Sequence, residues 1–399
     1  MAGWFDFVNG QTLPASRVQD YLMDQSVMVF ADDAARTAAL PSPTFGMVTY
    51  LTSTGELYVR TGGFWRPIVD SLNYGRVLPP RRNVVINGGF DIWQRGSSFT
   101  SPSFSQYTAD RWKNNNYNVA PTTYSITRET FAPGTAPSGS NSEFFYRSTI
   151  ATVGGNTEYD TAQQRIEDVR TFANQTVTLS FWAKADSART VTPAIGQVFG
   201  HGGSAGVTVL NYGVTVFNLT TAWQRFSATV SIPSITGKTI GAGSYLWFAF
   251  RQASASGSVL DLSDIQLELG SVATPFVRAA STLQGELAAC QRYYTRFSAS
   301  AAYSSLSLQG FAASTTLALL RTQLPVTMRI APTAIDFSTL GVLQTNGVDI
   351  AVSSAALSGR TTANSVEIET TSTGLTSDRG YALIARNSSS AFIGFSAEL

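Results

Sequence analysis

Thr176-Val177-Thr178-Leu179-Ser180-Phe181-Trp182 alternates strictly, with Val177, Leu179 and Phe181 on one side of an extended chain and Thr178, Ser180 and Trp182 on the other. A period of two marks a half-buried β-strand, because successive side chains leave opposite faces of the sheet. The period recurs downstream. From Phe226 to Ile232 every second residue is apolar or small; Leu246, Phe248 and Phe250 form another stripe, and Leu260, Leu262 and Ile265 approximate a further one. Gly, Ser and Asn turns separate these runs and helical periods are scarce. The pattern predicts a two-sheet sandwich of the jelly-roll kind over 84–279, opened by a strand at Asn83–Asn87.

On either side of this unit the pattern changes. Residues 1–70 read as a small α+β unit. Pro14-Ala15-Ser16 opens a helical pattern striped by Val18, Tyr21, Leu22 and Met23. Asp32 or Asp33 caps a second short helix through Ala39, and a three-stranded meander follows at Met47–Leu51, Glu56–Arg60 and Phe64–Ile68. Residues 71–83 are a linker stiffened by Pro79-Pro80. Residues 281–298 read as a connecting helix. Ser281 and Gln284 stand at capping-box spacing, and Leu283, Leu287, Cys290, Tyr294 and Phe297 lie along one side. Residues 299–399 read as a C-terminal β domain, with strands at Ser305–Phe311, Leu317–Leu320, Ala334–Phe337, Ser365–Glu369, Tyr381–Ala385 and Phe392–Phe395. The fold class is therefore mainly β, and 399 residues exceed what one ordinary core takes.

Composition narrows the chemistry. Charged residues are 13% of the chain, about half the usual share, and 27 Lys+Arg against 26 Asp+Glu leave a net charge of +1. No basic footprint for nucleic acid is present. Cys290 is the only cysteine, which rules out an intrachain disulfide and a cysteine-based zinc site. His201, the only histidine, lies in the glycine-rich Phe199-Gly200-His201-Gly202-Gly203-Ser204, poor scaffolding for a catalytic base. The carboxylate clusters Glu158/Asp160 and Glu167/Asp168 sit at ordinary strand and turn positions. There is no phosphate-binding loop, nucleophile elbow or zinc-protease motif. A non-enzymatic protein is expected. The first residues lack a basic, then apolar leader, and no stretch approaches the ~20 apolar residues of a membrane span. The expectation is synthesis in a host cytoplasm without export or membrane insertion.

Several ordered motifs resemble tail-fibre and other tail-associated proteins of tailed bacteriophages. Tyr21–Ala31 with Gly46–Leu51 is similar to a virion-attachment segment. Asn87-Gly88-Gly89-Phe90-Asp91-Ile92-Trp93-Gln94-Arg95-Gly96, Tyr107–Trp112, Gln164–Val169, Leu179–Ala185 and Ile265–Gly270 resemble a phage jelly-roll domain akin to carbohydrate-binding modules. Cys290-Gln291-Arg292-Tyr293-Tyr294 and Met328–Thr333 continue the match to about residue 335. The resemblance implies a homotrimeric virion fibre, joined to other virion proteins through residues 1–70 and adhering to a host-surface glycan. The alternatives are a capsid- or neck-decorating fibre and a polysaccharide depolymerase. By analogy with the sheet that carbohydrate-binding modules present to sugar, the glycan patch is assigned to Gln164, Trp182, Tyr245, Trp247 and Arg251. No cofactor is expected apart from a structural calcium, which the resemblance alone implies. Asp261 and Asp264 are the nearest carboxylates, short of the oxygen ligands a calcium cage takes. Trp93 and Trp112 are read as core.

Overall fold

The structure is a computed structural model that describes residues 12, 27–61, 63–69, 82–114, 123–137, 139–140, 142–153, 158–253, 255–344 and 347–399. The helix expected from Pro14 and most of the linker lie outside those residues. The chain divides into two compact units, Met1–Pro79 and Pro80–Leu399.

In the first unit β1 (Val27–Phe30) leads to α1 (Asp33–Ala39), then to β2 (Val48–Leu51), β3 (Glu56–Thr61) and β4 (Phe64–Val69). Asp32 caps α1, its carboxylate accepting the Ala35 N–H at 2.8 Å. The expected meander is present, and β1 adds a fourth strand by pairing parallel to β2. Arg36 of α1 is buried, its guanidinium 4.6 Å from the ring centres of both Tyr58 and Trp65. This cation–π contact fixes the helix on one side of the sheet.

The second unit begins with β5 (Ser98–Thr100), β6 (Tyr124–Thr130), β7 (Phe144–Ile150), β8 (Glu158–Glu167), β9 (Thr176–Ala185) and β10 (Arg189–Val198). It continues with β11 (Val207–Leu210), β12 (Phe217–Leu219), β13 (Gln224–Ser231), β14 (Tyr245–Ala253) and β15 (Ser258–Leu269). Two antiparallel sheets result, ordered β13-β9-β15-β7-β6-β5 and β11-β10-β14-β8, with β12 also paired to β10. They bury their facing stripes against each other. Phe181 of β9 meets Phe250 of β14 at 4.7 Å between ring centres, and Leu179, Phe248, Leu262 and Leu267 are fully buried around them. This is the jelly-roll-like sandwich that the alternation predicts.

Asn83–Asn87 departs from expectation. It is not a strand but a plug along the edge of the sandwich, held by side chains: Asn83 Oδ1 accepts the N–H groups of Val85 and Leu267 at 2.9 and 3.2 Å. A Cβ on Gly88 would overlap the Ile265 carbonyl, so this approach requires glycine.

The connecting helix is also shorter than expected. α2 spans Leu283–Gln291, with Thr282 as its cap; the Thr282 hydroxyl accepts the Gly285 N–H at 3.0 Å. Tyr294–Ser298 is instead β16, paired with the last strand. The Tyr-Thr-Arg-Phe run suits a ladder, and tertiary pairing overrides the apolar stripe that Tyr294 and Phe297 extend. Leu283 is exposed, while Glu286 and Cys290 are buried. Glu286 accepts the N–H groups of Asn87 and Ala280, which ties α2 to the plug.

Beyond β16 lie β17 (Ser305–Ala312), β18 (Leu317–Gln323), β19 (Ala334–Ser338), β20 (Leu340–Gln344), β21 (Asp349–Ala351), β22 (Ser354–Leu357), β23 (Ser365–Thr371), β24 (Gly380–Ala385) and β25 (Phe392–Ser396). They form a seven-stranded sheet, β21-β20-β24-β17-β18-β23-β22, and a three-stranded one, β16-β25-β19. A second core that includes Leu308, Leu320, Leu383, Ile393 and Phe395 lies between them.

Candidate functional site

The site is built on β14. Leu246, Phe248 and Phe250 point into the core and are fully buried. The alternate residues Tyr245, Trp247, Ala249 and Arg251 therefore leave the outer face of the five-stranded sheet. Across the ladder, β10 places Gly196 beside Trp247, and β8 places Arg165 beside Trp247 and Glu167 beside Tyr245.

Trp247 lies over Gly196. A Cβ there would stand 2.5 Å from the indole Nε1 and 2.7 Å from Cε2, so only glycine lets the ring lie against the strand. Two tyrosine–arginine stacks bracket the indole. Toward β8, the Arg165 guanidinium sits 4.5 Å from the Tyr245 ring centre. Toward the other end, Arg251 stacks 3.6 Å from Tyr212, carried on the loop between β11 and β12, and donates from Nε to Asp160 at 2.7 Å. Pro193 of β10 falls in the gap between its partners β12 and β11, a position where a missing N–H is tolerated. The result is a partly buried indole flanked by planar donors and a carboxylate. That arrangement suits a ligand with an apolar face and a rim of hydroxyl groups.

Three of the five patch residues, Tyr245, Trp247 and Arg251, share this face. The other two do not. Gln164 pairs with Phe248 and so points inward; it is buried, and its amide accepts the Ile86 N–H at 2.9 Å and donates to the Ile86 carbonyl at 2.8 Å. It clamps the plug in the manner of a strand neighbour. Trp182 lies on the outer face of the opposite sheet, beside Arg225 and Ser263. Tyr245 presents a ring already covered by Arg165, which leaves Trp247 as the partly buried aromatic of this face that carries no such stack. Gly196, Arg165, Tyr212 and Asp160 complete the face without having been singled out for it. Their membership depends on register and on a loop fold, which no local pattern carries.

The two carboxylates considered for calcium share no partner. Asp261 is bound by Arg147 at 2.7 Å and faces Lys184 at 3.5 Å, while Asp264 Oδ1 accepts from Ser142 at 2.6 Å. This arrangement does not fit a calcium cage, and among the described residues no group of three or more His, Cys, Asp or Glu is placed to hold a metal ion. His201 is exposed in a loop, bridged to Ala242.

The ordered motifs near Asn87, Asp110 and Tyr293 build a joint rather than a binding face. Asn87 accepts the Ile92 N–H and donates to the carbonyls of Ile92 and Asp110. Trp112, fully buried, donates to the Asn87 carbonyl at 2.9 Å, and Trp93 to that of Phe90 at 2.7 Å; both tryptophans lie in the core. Gln94 donates to the Tyr294 carbonyl at 2.7 Å. Arg95 and Arg111 each stack 3.5 Å from a ring, of Tyr294 and Tyr293 respectively, and both pair with Glu398. The sandwich and the C-terminal β layers are thus locked together.

No family model and no curated protein matches the chain. Among solved structures, it is similar to a CBM4 carbohydrate-binding module at 20% identity, covering 47% of this chain and 100% of that one, with a TM-score of 0.30. The CBM22 xylan-binding domain of Paenibacillus barcinonensis aligns at 13% identity over 44% and 94% of the two chains, with a TM-score of 0.27. The enzymatically active domain of bacteriophage CBA120 tailspike protein 4 aligns at 16% identity over 48% of this chain and 22% of that one, with a TM-score of 0.31. With identities and scores this low, the architecture stands on the strand order described above.

Proposed function

We propose that this protein is a non-enzymatic virion component, a trimeric fibre that adheres to a host-surface glycan through the outer face of β14. The observation that carries the adhesive reading is the Trp247 indole laid across Gly196 between two tyrosine–arginine stacks. The ordered motifs that resemble phage tail proteins support the virion setting. Binding rather than hydrolysis is favoured because, among the described side chains, the carboxylates bordering the face are engaged by arginines, Asp160 by Arg251 and Glu167 by Arg292. Glycosidic cleavage needs a carboxyl pair left to the scissile bond. Weak contacts multiplied over the copies in a fibre give useful avidity.

The test compares Trp247→Ala with Trp182→Ala in adsorption of the purified protein to host cells, with oligomeric mass measured alongside. Trp247→Ala should lose adsorption at an unchanged trimeric mass, and Trp182→Ala should adsorb like the parent. Loss with Trp182→Ala alone would move the site to the opposite sheet, and a monomeric parent protein would remove the avidity argument.

A further inference from the structure

The outer face of β14 continues past its own strand. Glu167 stands directly across from Tyr245, so both side chains leave the same face of the sheet. Glu167 also lines a cleft of about 920 Å³ formed with Ala288, Ala289, Arg292 and Tyr293 at α2 and with Thr327 of the C-terminal β layers. That volume is at the upper end for a small-molecule site. The alanines give it a flat apolar wall. The lining beside them is polar: both Glu167 oxygens accept from Arg292 Nη2 at 3.0 Å, and Oε2 also accepts from the Tyr293 hydroxyl at 3.0 Å. The ion pair is 42% exposed on the arginine side and 38% on the glutamate side, so it is open to solvent rather than closed into the core.

We infer that the ligand is a polysaccharide chain long enough to run from Trp247 across β8 into this cleft, so that α2 and the C-terminal layers hold part of it. The inference rests on the glycan reading of the Trp247 face. Trp247 and Glu167 are diagonal neighbours across the ladder, about 7–8 Å apart, so a residue of the cleft lining lies one to two sugar rings from the indole's position. Apolar alanines beside an arginine–carboxylate pair repeat the chemistry of the indole and its flanking groups. A terminal mono- or disaccharide would fill the indole platform and leave the cleft unused.

The experiment uses the full chain on an array of bacterial surface polysaccharides with their disaccharide and hexasaccharide fragments. The parent should bind hexasaccharides at least about tenfold more tightly than disaccharides. Ala289→Trp and Thr327→Trp fill the cleft from two separate walls, the second from an exposed loop where folding is not at stake. Each should reduce hexasaccharide affinity by about tenfold and leave disaccharide affinity unchanged, whereas Trp247→Ala should weaken both. Equal parent affinity for the two lengths, or hexasaccharide binding untouched in both cleft variants while Trp247→Ala still weakens both lengths, overturns the extended site and leaves the platform standing. No binding to any array member, or no effect of Trp247→Ala, overturns the glycan reading and this inference with it.

Discussion

Gly196→Ala tests the geometry of the face without removing any group that would touch a ligand. The added Cβ would stand 2.5, 2.7 and 2.8 Å from three atoms of the Trp247 indole, where carbon contacts normally settle near 3.5–4.0 Å. The ring must therefore lift or turn by roughly 1 Å. Overpacking in a closed core costs about 1–3 kcal/mol, and a partly buried indole on an outer sheet face has more room to yield than a core ring, so the stability loss should fall near the lower end, about 1 kcal/mol. Binding should suffer more than stability. An indole that no longer lies flat forfeits stacking of about 1–1.5 kcal/mol, or roughly five- to tenfold in Kd. Calorimetric titration with a bound glycan and a thermal melt measure the two effects separately. If the mechanism acts through the ring, Gly196→Ala adds nothing to the loss already caused by Trp247→Ala. Parent-like affinity in the single variant, or fully additive losses in the double variant, would refute this account of the platform.

Two further predictions concern the frame behind the face. Burial raises the Asp110 carboxyl to about 6 and pushes those of Asp264 and Glu286 upward. From the ordinary carboxylate range near 4 up to about 6, the folded chain keeps protons that the unfolded chain has released, so stability falls as pH rises through that window. Asp186, which its Arg189 partner holds well below the usual range, acts only at lower pH. The melting temperature should be higher near pH 5 than near pH 7, and the reverse order contradicts the burial of these carboxyls. Asn87→Ala removes one accepted and two donated hydrogen bonds at a buried residue in the left-handed region (φ 59°) and strands the Ile92 and Asp110 backbone groups. It should cost about 2–4 kcal/mol by denaturant unfolding, and a loss below about 1 kcal/mol would show that the motif does not hold the joint.

The parts of the fold written in the sequence are those where a local period coincides with burial on one side. Val177, Leu179 and Phe181, and Leu246, Phe248 and Phe250, show their strands directly because each stripe faces a single core. Tyr294 and Phe297 misled because their apolar spacing also continues the side of α2, and only pairing with β25 decides between helix and strand. Asn83–Asn87 has strand-like composition but makes one strand-like backbone bond, from Val84 to Leu267, and meets the rest through the side chains of Asn83, Gln164 and Glu286, a solution invisible without the partners. The candidate face was half legible for a similar reason. One strand's alternation reveals Tyr245, Trp247 and Arg251. Placing Gly196 under the indole, or sending Trp182 to the opposite sheet, requires the order of strands across two sheets.

The central claim is that sugar stacks on Trp247. A structure of the protein with a bound oligosaccharide from its host's surface tests this most directly. A sugar ring should lie flat on the indole, with hydroxyl groups in reach of Arg165 or Arg251. A ligand seated beside Trp182, or on the seven-stranded sheet of the C-terminal layers with the Trp247 face empty, would contradict it.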